Sequence, residues 1–245
     1  MPQHTGSFGA SVRGPLHRTE GRPNEDSWLR AKGSFGDLAV VCDGMGSKPN
    51  AREGARAACT AVREAVSRWS KADGAPLAYL PHLVEVLWRL RLHPTDPASA
   101  VTTCLLALAT PRGTLIVGGV GDGLAMARSG SDLQVIIGDR GKDFANETNG
   151  LGTSKGPRAW TLVELPATER DRIVVLATDG VADDLLPERL DGFCDWLVDS
   201  FVPLTPRERW RRLSAELRGW PTPGHLDDKT LAAIYASPLS SEEAT

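Results

Sequence analysis

Long apolar runs are missing from this chain of 245 residues, so no segment reads as a membrane span. The N-terminus also lacks the charged-then-apolar pattern of a secretory signal. A cytoplasmic location and no membrane partner are the expectations. Paired cysteines are missing too. Cys42, Cys59, Cys104 and Cys194 form no CxxC pair, and three of them sit in apolar contexts, which argues against a disulfide framework or a zinc site. The five histidines are scattered, which argues against a His-rich transition-metal centre. Neither sign of charge dominates: 28 Lys and Arg against 31 Asp and Glu give a net charge of −3 and no nucleic-acid footprint. The cluster Arg207, Arg209, Arg211, Arg212 reads as the solvated face of a helix. There is no internal repeat and no linker, so one domain is expected over residues 6–236, followed by a disordered tail at 237–245.

What is present is a set of short, strongly patterned segments. Residues 1–5 read as frayed, Phe8 to Val12 as a first strand, and Gly14 to Asn24 as a polar, basic loop. Ser27 to Arg30 and Asp37 to Cys42 read as the second and third strands. Ala55, Ala58, Cys59, Val62, Ala65, Val66 and Trp69 keep steps of three and four, the mark of an amphipathic helix, with Asn50 and Glu53 placed as its capping box. A second helix fits Ala78 to Leu92, with Leu80, Leu83, Val84, Leu87 and Leu90 on one face. Val101 to Ala109, Thr114 to Gly118, Leu124 to Arg128 and Leu133 to Ile137, divided by turn signals, read as an antiparallel meander. Trp160 to Leu165 and Arg172 to Thr178 add two strands, Arg189–Val198 and Arg207–Leu217 two helices, and Thr230 to Tyr235 the last strand. Strands and helices in separate groups indicate an α+β fold with antiparallel sheets.

Two of these apolar runs end in Asp-Gly, at Asp43-Gly44 and Asp179-Gly180, and Asp227 precedes the last strand. A carboxylate at the end of a buried strand is costly unless a cation or hydrogen bonds receive it. Each Asp alone is an ordinary turn residue; three in this arrangement suggest a metal held by oxygen atoms, for which Mg or Mn is best suited. The glycine-rich stretch Gly118 to Gly123 is followed by a strand pattern rather than a helix, so it is not a dinucleotide loop.

Six motifs in order carry a resemblance: Asn24-Glu25-Asp26, Asp43-Gly44-Met45-Gly46, Gly121-Asp122-Gly123, Asn149-Gly150-Leu151-Gly152, Thr178-Asp179-Gly180 and Asp227-Asp228-Lys229-Thr230. Over residues 6–236 the chain resembles the protein phosphatase 2C family of metal-dependent Ser/Thr phosphatases, in a compact bacterial form. The resemblance implies a four-layer α-β-β-α sandwich of two antiparallel sheets flanked by helix pairs, with two Mg or Mn ions at one end. It implies that Asp43 bridges the two ions, that the Gly44 carbonyl binds one, and that Asp179 and Asp227 hold the other. Glu25 and Asp26 would act directly or through waters, and Asp122 and Asp183 match a third, weaker metal site. A metal-activated bridging water would attack the phosphorus of phosphoserine or phosphothreonine in line. The partner would be a phosphorylated protein, the substrate of a bacterial Ser/Thr kinase, and the enzyme a signalling monomer.

The chain departs from the family in three places. Gly21 stands where many members carry a phosphate-gripping Arg, leaving Arg22, Arg18 and His17 as candidates for that role. Met45 stands where eukaryotic members often have His, and Gly123-Leu124 where Ser-Arg is common. Two other readings compete: a pseudophosphatase that binds phosphoproteins as a regulatory module, and a two-metal phosphoesterase acting on a small molecule.

Overall fold

The computed structural model describes residues 3–138, 149–153, 155–168, 170–220 and 226–238. The chain opens with strand β1 (Gln3–Val12), a short helix α1 (Pro15–Thr19) and strands β2 (Asp26–Gly33) and β3 (Gly36–Asp43). Helices α2 (Ala51–Trp69) and α3 (Tyr79–Leu92) follow, then β4 (Cys104–Ala109), β5 (Leu115–Val120), β6 (Leu124–Ser129) and β7 (Asp132–Ile137). Strands β8 (Thr161–Leu165) and β9 (Arg172–Ala177) lead into α4 (Asp179–Ala182), α5 (Leu190–Phe201), α6 (Pro206–Arg218) and β10 (Lys229–Pro238).

The strands form two five-stranded antiparallel sheets, ordered β1-β10-β9-β6-β7 and β2-β3-β4-β5-β8. Side chains alternate across a strand, so β3 splits its apolar run. Leu38, Val40 and Cys42 face α2 and α3, while Ala39 and Val41 face the other sheet. Ala107, Val117, Ala125, Val174, Leu176 and Ala232 share that inter-sheet layer. On the far side, Val175, Ala177, Leu231 and Ala233 pack with Leu197, Phe201, Leu213 and Leu217 of α5 and α6. The result is the four-layer α-β-β-α sandwich, an α+β fold in which the central strands are buried on both faces. That is why β3 and β9 read as continuous apolar runs rather than as alternating ones.

Several boundaries differ from the sequence reading. Residues 3–5, expected to fray, are paired through the full ladder from Gln3↔Pro238 to Val12↔Lys229, which also draws residues 237 and 238 of the expected tail into β10. The remainder of that tail, 239–245, lies outside the described residues, as do residues 221–225. The basic loop contains α1, opened by Pro15. The meander is divided: β4 and β5 pair in one sheet, β6 and β7 in the other, and the chain crosses between sheets at Gly121-Asp122-Gly123. On α3, Leu80, Val84, Leu87 and Trp88 turn inward, whereas Leu90 is 67 % exposed. Ten residues beyond Leu80, at about 100° per residue, Leu90 falls well off the buried face.

Asn50 does not cap α2; its Nδ2 donates to Ser99 Oγ instead. The capping box that does form is on α6, where Thr205 Oγ1 accepts from the Glu208 backbone N–H and Glu208 Oε2 accepts from the Thr205 N–H. Thr205→Ala should therefore destabilise the protein by about 1 kcal/mol in urea melts, while Asn50→Ala leaves α2 without a lost cap. Equal losses from the two substitutions would contradict this assignment.

Candidate metal and phosphate site

The acidic residues converge because both sheets end at the same edge. In one sheet Asp26 opens β2 directly opposite Asp43, the last residue of β3. In the other, β9 stops at Ala177, earlier than the sequence pattern suggests, and Asp179 is the first residue of α4 rather than a strand end. Ala177 pairs with Leu231, which sets Asp227 beside the same edge, just before β10. Gly180 is required for this approach: a Cβ there would lie 2.0 Å from the Asp228 carbonyl oxygen. The Asn149-Gly150-Leu151-Gly152 motif braces the edge from behind. Leu151 N–H donates to the Thr102 carbonyl, and Thr102 Oγ1 donates to the Asp43 carbonyl.

A cavity of about 370 Å³ opens at this edge, lined by Asp43, Asp179, Asp227, Asp122, Glu25 and Gly44, with Arg22, His17 and Met45 on its rim. Burial, and then the charges of Asp26, Asp179 and Asp227, push the Asp43 carboxyl well above the usual carboxylate range. Asp179 is raised as well, first by burial and then by Asp122, Asp227 and Asp183. Asp179 Oδ1 is buried with no hydrogen-bond partner. Carboxylates that repel one another and leave an oxygen orphaned fit a cation centre rather than a structural polar network. The donors facing the cavity are mainly oxygens, which suits Mg or Mn.

The other sequence-predicted residues are placed differently. Asp26 is buried, with Oδ2 accepting from Thr178 Oγ1 and Thr230 Oγ1 at 2.9 and 2.7 Å. Burial first, then the charges of Asp228 and Asp179, hold its carboxyl well up, against the opposing pull of the two hydroxyls. It does not line the cavity. Asp183 lines a neighbouring cavity of about 620 Å³ that shares Asp122. Of the three phosphate-site candidates, Arg18 is exposed on α1 and stands outside the cavity lining. Arg22 reaches in. The backbone turns at Gly21 with φ +70, a region that favours glycine, and the next residue sends its guanidinium to Glu25 and the Gly46 carbonyl.

His17 is occupied elsewhere. Its Nδ1 donates to Asp228 Oδ2 at 2.8 Å, and Nε2 lies 3.9 Å from Glu25. Asp228 is the residue that sequence reasoning left without a role. It is buried, and it accepts from the backbone N–H groups of Gly14 at 2.7 Å and Glu25 at 2.6 Å, joining the starts of α1, β2 and β10 around the cavity. Its neighbour Asp227 is exposed. His17, Asp227 and Asp228 together offer ligand atoms within 4.8 Å of one another, although both Asp228 oxygens already accept hydrogen bonds.

Among the described residues, no helix is long and apolar enough to cross a membrane. No curated protein matches the chain. Solved structures do. PppA, a key regulatory component of T6SS in Pseudomonas aeruginosa, matches at TM-score 0.68 and 20% identity, covering 95% of this chain and 98% of that one. The catalytic domain of PstP, in complex with 2 manganese ions, matches at TM-score 0.64 and 20% identity, over 96% and 100% of the two chains. The S. agalactiae serine/threonine phosphatase matches at TM-score 0.65 and 16% identity, over 95% and 99%. These likenesses establish the fold. A protein phosphatase 2C family model matches residues 13–220. With that match covering most of the chain, the protein belongs to the protein phosphatase 2C family of metal-dependent Ser/Thr protein phosphatases.

Proposed function

We propose that the cavity at the joint edge of the two sheets hydrolyses phosphoserine and phosphothreonine in proteins, with Asp43, Asp179 and Asp227 holding two Mg or Mn ions. The convergence of these three carboxylates from both sheets on one cavity carries the reading. Asp43, set between the groups of the two sheets, would hold both ions, and the Gly44 carbonyl beside it would hold one. Glu25 stands in the cavity wall, while Asp26 acts from behind it. Asp122, shared by two cavities, and Asp183 in the second would hold a third ion. Such ions supply Lewis-acid neutralisation of phosphoryl oxygens and an acidified water.

The chain's own residues orient the substrate. Arg22 presents donors at the rim, and its planar fork matches a phosphoryl group in two bonds. Met45 and Leu16 give the mouth an apolar lip that accepts a peptide backbone. We place the enzyme in a bacterial cytoplasm, as a one-domain monomer over residues 6–236 that reverses a Ser/Thr kinase signal. The four buried free cysteines agree with a reducing compartment.

The test is hydrolysis of a phosphothreonine peptide with and without Mn. Mn-dependent turnover that disappears in Asp179→Ala supports the assignment. Tight metal binding with no turnover would turn the site into a phosphoprotein-binding module. Arg22→Ala should raise KM for the phosphopeptide about ten- to a hundredfold, the worth of a charge-assisted hydrogen bond. Arg22→Lys should recover little of it, because an ammonium lacks the fork. An unchanged KM in both variants would remove Arg22 from the phosphate site.

A further inference from the structure

The cavity of about 620 Å³ beside the carboxylate edge has a chemistry of its own. Leu124 of β6 and Val135 of β7 bound it on one side. Ala182, Leu185, Pro187 and Leu190, from the end of α4 to the start of α5, bound it on the other. Asp122 and Asp183 are the ionisable groups in its lining, and no cation lines it among the described residues. Gly123 and Leu124, the pair that stands where Ser-Arg is common, belong to this wall. Val135 is 44 % exposed and Pro187 is exposed, so the wall is reached from solvent and is not a void in the core. The carboxylate cavity differs: its only large apolar side chains are Leu16 and Met45. The two cavities meet at Asp122.

We propose that this second cavity takes an apolar side chain of the phosphoprotein substrate, from a residue within three positions of the phosphorylated one. The proposal rests on the phosphatase reading of the neighbouring cavity. Continuity decides the occupant. A phosphoryl group held in the first cavity leaves its chain to run past the residue that both cavities share. Three residues of extended chain reach about 10 Å. A cavity of this size, apolar but for a few polar groups, is of the kind that encloses an organic group. An acidic side chain would lose its water there against an apolar wall and face Asp122 and Asp183, so the cavity works against it. Two tasks then fall to two cavities. The first takes the phosphoryl group that every substrate carries, and the second reads a residue in which substrates differ.

The experiment measures KM and kcat at saturating Mn for phosphothreonine peptides in a Gly-Ser background. One position at a time, from three before the phosphothreonine to three after it, carries Leu, Ala, Glu or Lys. p-Nitrophenyl phosphate, which has no flanking residue, reports on the metal centre by itself. At one position Leu should lower KM about tenfold or more relative to Ala, the worth of burying one apolar side chain, with kcat little changed. Glu at that position should raise KM. Val135→Asp and Pro187→Glu each replace an exposed residue, and each should remove most of the advantage of Leu and favour Lys instead. Melting temperature and turnover of p-nitrophenyl phosphate should stay at the wild-type values in both variants. A KM indifferent to the residue at every position overturns the proposal, and so does a Leu preference unchanged in both variants. With p-nitrophenyl phosphate still hydrolysed, either failure belongs to the second cavity alone. No Mn-dependent turnover of p-nitrophenyl phosphate or of any peptide removes the phosphatase reading and this proposal together.

Discussion

Asp43→Asn should lower Mn-dependent turnover by about a thousandfold and at the same time make the metal-free protein more stable. The first effect follows from the position of Asp43 between the carboxylates of the two sheets. Losing several kcal/mol of Lewis-acid assistance at about 1.4 kcal/mol per tenfold gives that magnitude. The second follows from the repulsion that Asp43 suffers. Its carboxyl is buried and faces Asp26, Asp179 and Asp227, so in the absence of a cation it is either charged among like charges or protonated against its usual preference. An amide has neither cost. Each kcal/mol relieved raises the melting temperature by about 2–4 °C in a protein of this size.

The pH dependence has a definite sign. Because the folded-state pKa lies above the ordinary value of 3.8, the folded protein keeps protons that the unfolded chain has released, and stability falls as pH rises from there through the raised value. Melting temperatures in EDTA should therefore show a small gap between wild type and Asp43→Asn near pH 4 and a wider one towards neutrality. Saturating Mn should close or reverse the gap. A variant that melts below wild type in EDTA at every pH would mean that Asp43 is a structural carboxylate.

Asp227 and Asp228 are adjacent and chemically identical, and their substitutions should separate cleanly. Asp228→Ala removes the acceptor from two backbone N–H groups and from His17 in a buried setting. Each buried donor left unpaired costs about 1–3 kcal/mol, and relief of the repulsion between Asp228 and Asp26 offsets part of that, leaving a loss of about 2–4 kcal/mol. Asp227→Ala touches an exposed side chain and should cost less than about 1 kcal/mol. Metal affinity should behave oppositely. Mn titration calorimetry should show a loss of at least about tenfold for Asp227→Ala, the lower end of what even outer contacts of a metal site supply. Urea melts in EDTA give the first comparison. If Asp227→Ala proves the more destabilising of the two, the roles assigned here are reversed.

This pair also shows where sequence stops being informative. Nothing in Asp227-Asp228-Lys229-Thr230 distinguishes the two carboxylates, because their exposure is set by the pairing of Leu231 with Ala177 and by the approach of Gly14 and Glu25 from elsewhere in the chain. The same limit applies to Arg18 and Arg22: a turn at Gly21 decides which of them reaches the cavity. The division of the meander between two sheets was illegible for a different reason. With both faces of a sheet buried, Leu124 to Arg128 and Thr114 to Gly118 carry no alternation to say which sheet they join. Legible from the start were the buried runs that end in Asp-Gly, since an apolar strand followed at once by a carboxylate conflicts locally with burial. The α+β class was legible from the grouping of strands and helices. The helical period fixed α2, but it could not assign Leu90, which lies off the buried face of α3.

The two hydroxyls on Asp26 have a mechanical meaning. Asp26 belongs to one sheet, while Thr178 and Thr230, which hold its Oδ2, stand at the ends of β9 and β10 in the other. Elsewhere between the sheets the contact is largely alanine, valine and leucine, with further polar ties from Thr5 Oγ1 to Asp37 Oδ2 and from Arg30 to the Ser7 carbonyl between β1 and the second sheet. The Asp26 tie acts as a dowel at the end of that layer where the cavity lies. It fixes the lateral offset of the sheets at the very edge where Asp43 and Asp179 face each other, so the spacing between ions bound there would be set by a joint that no ion needs to touch.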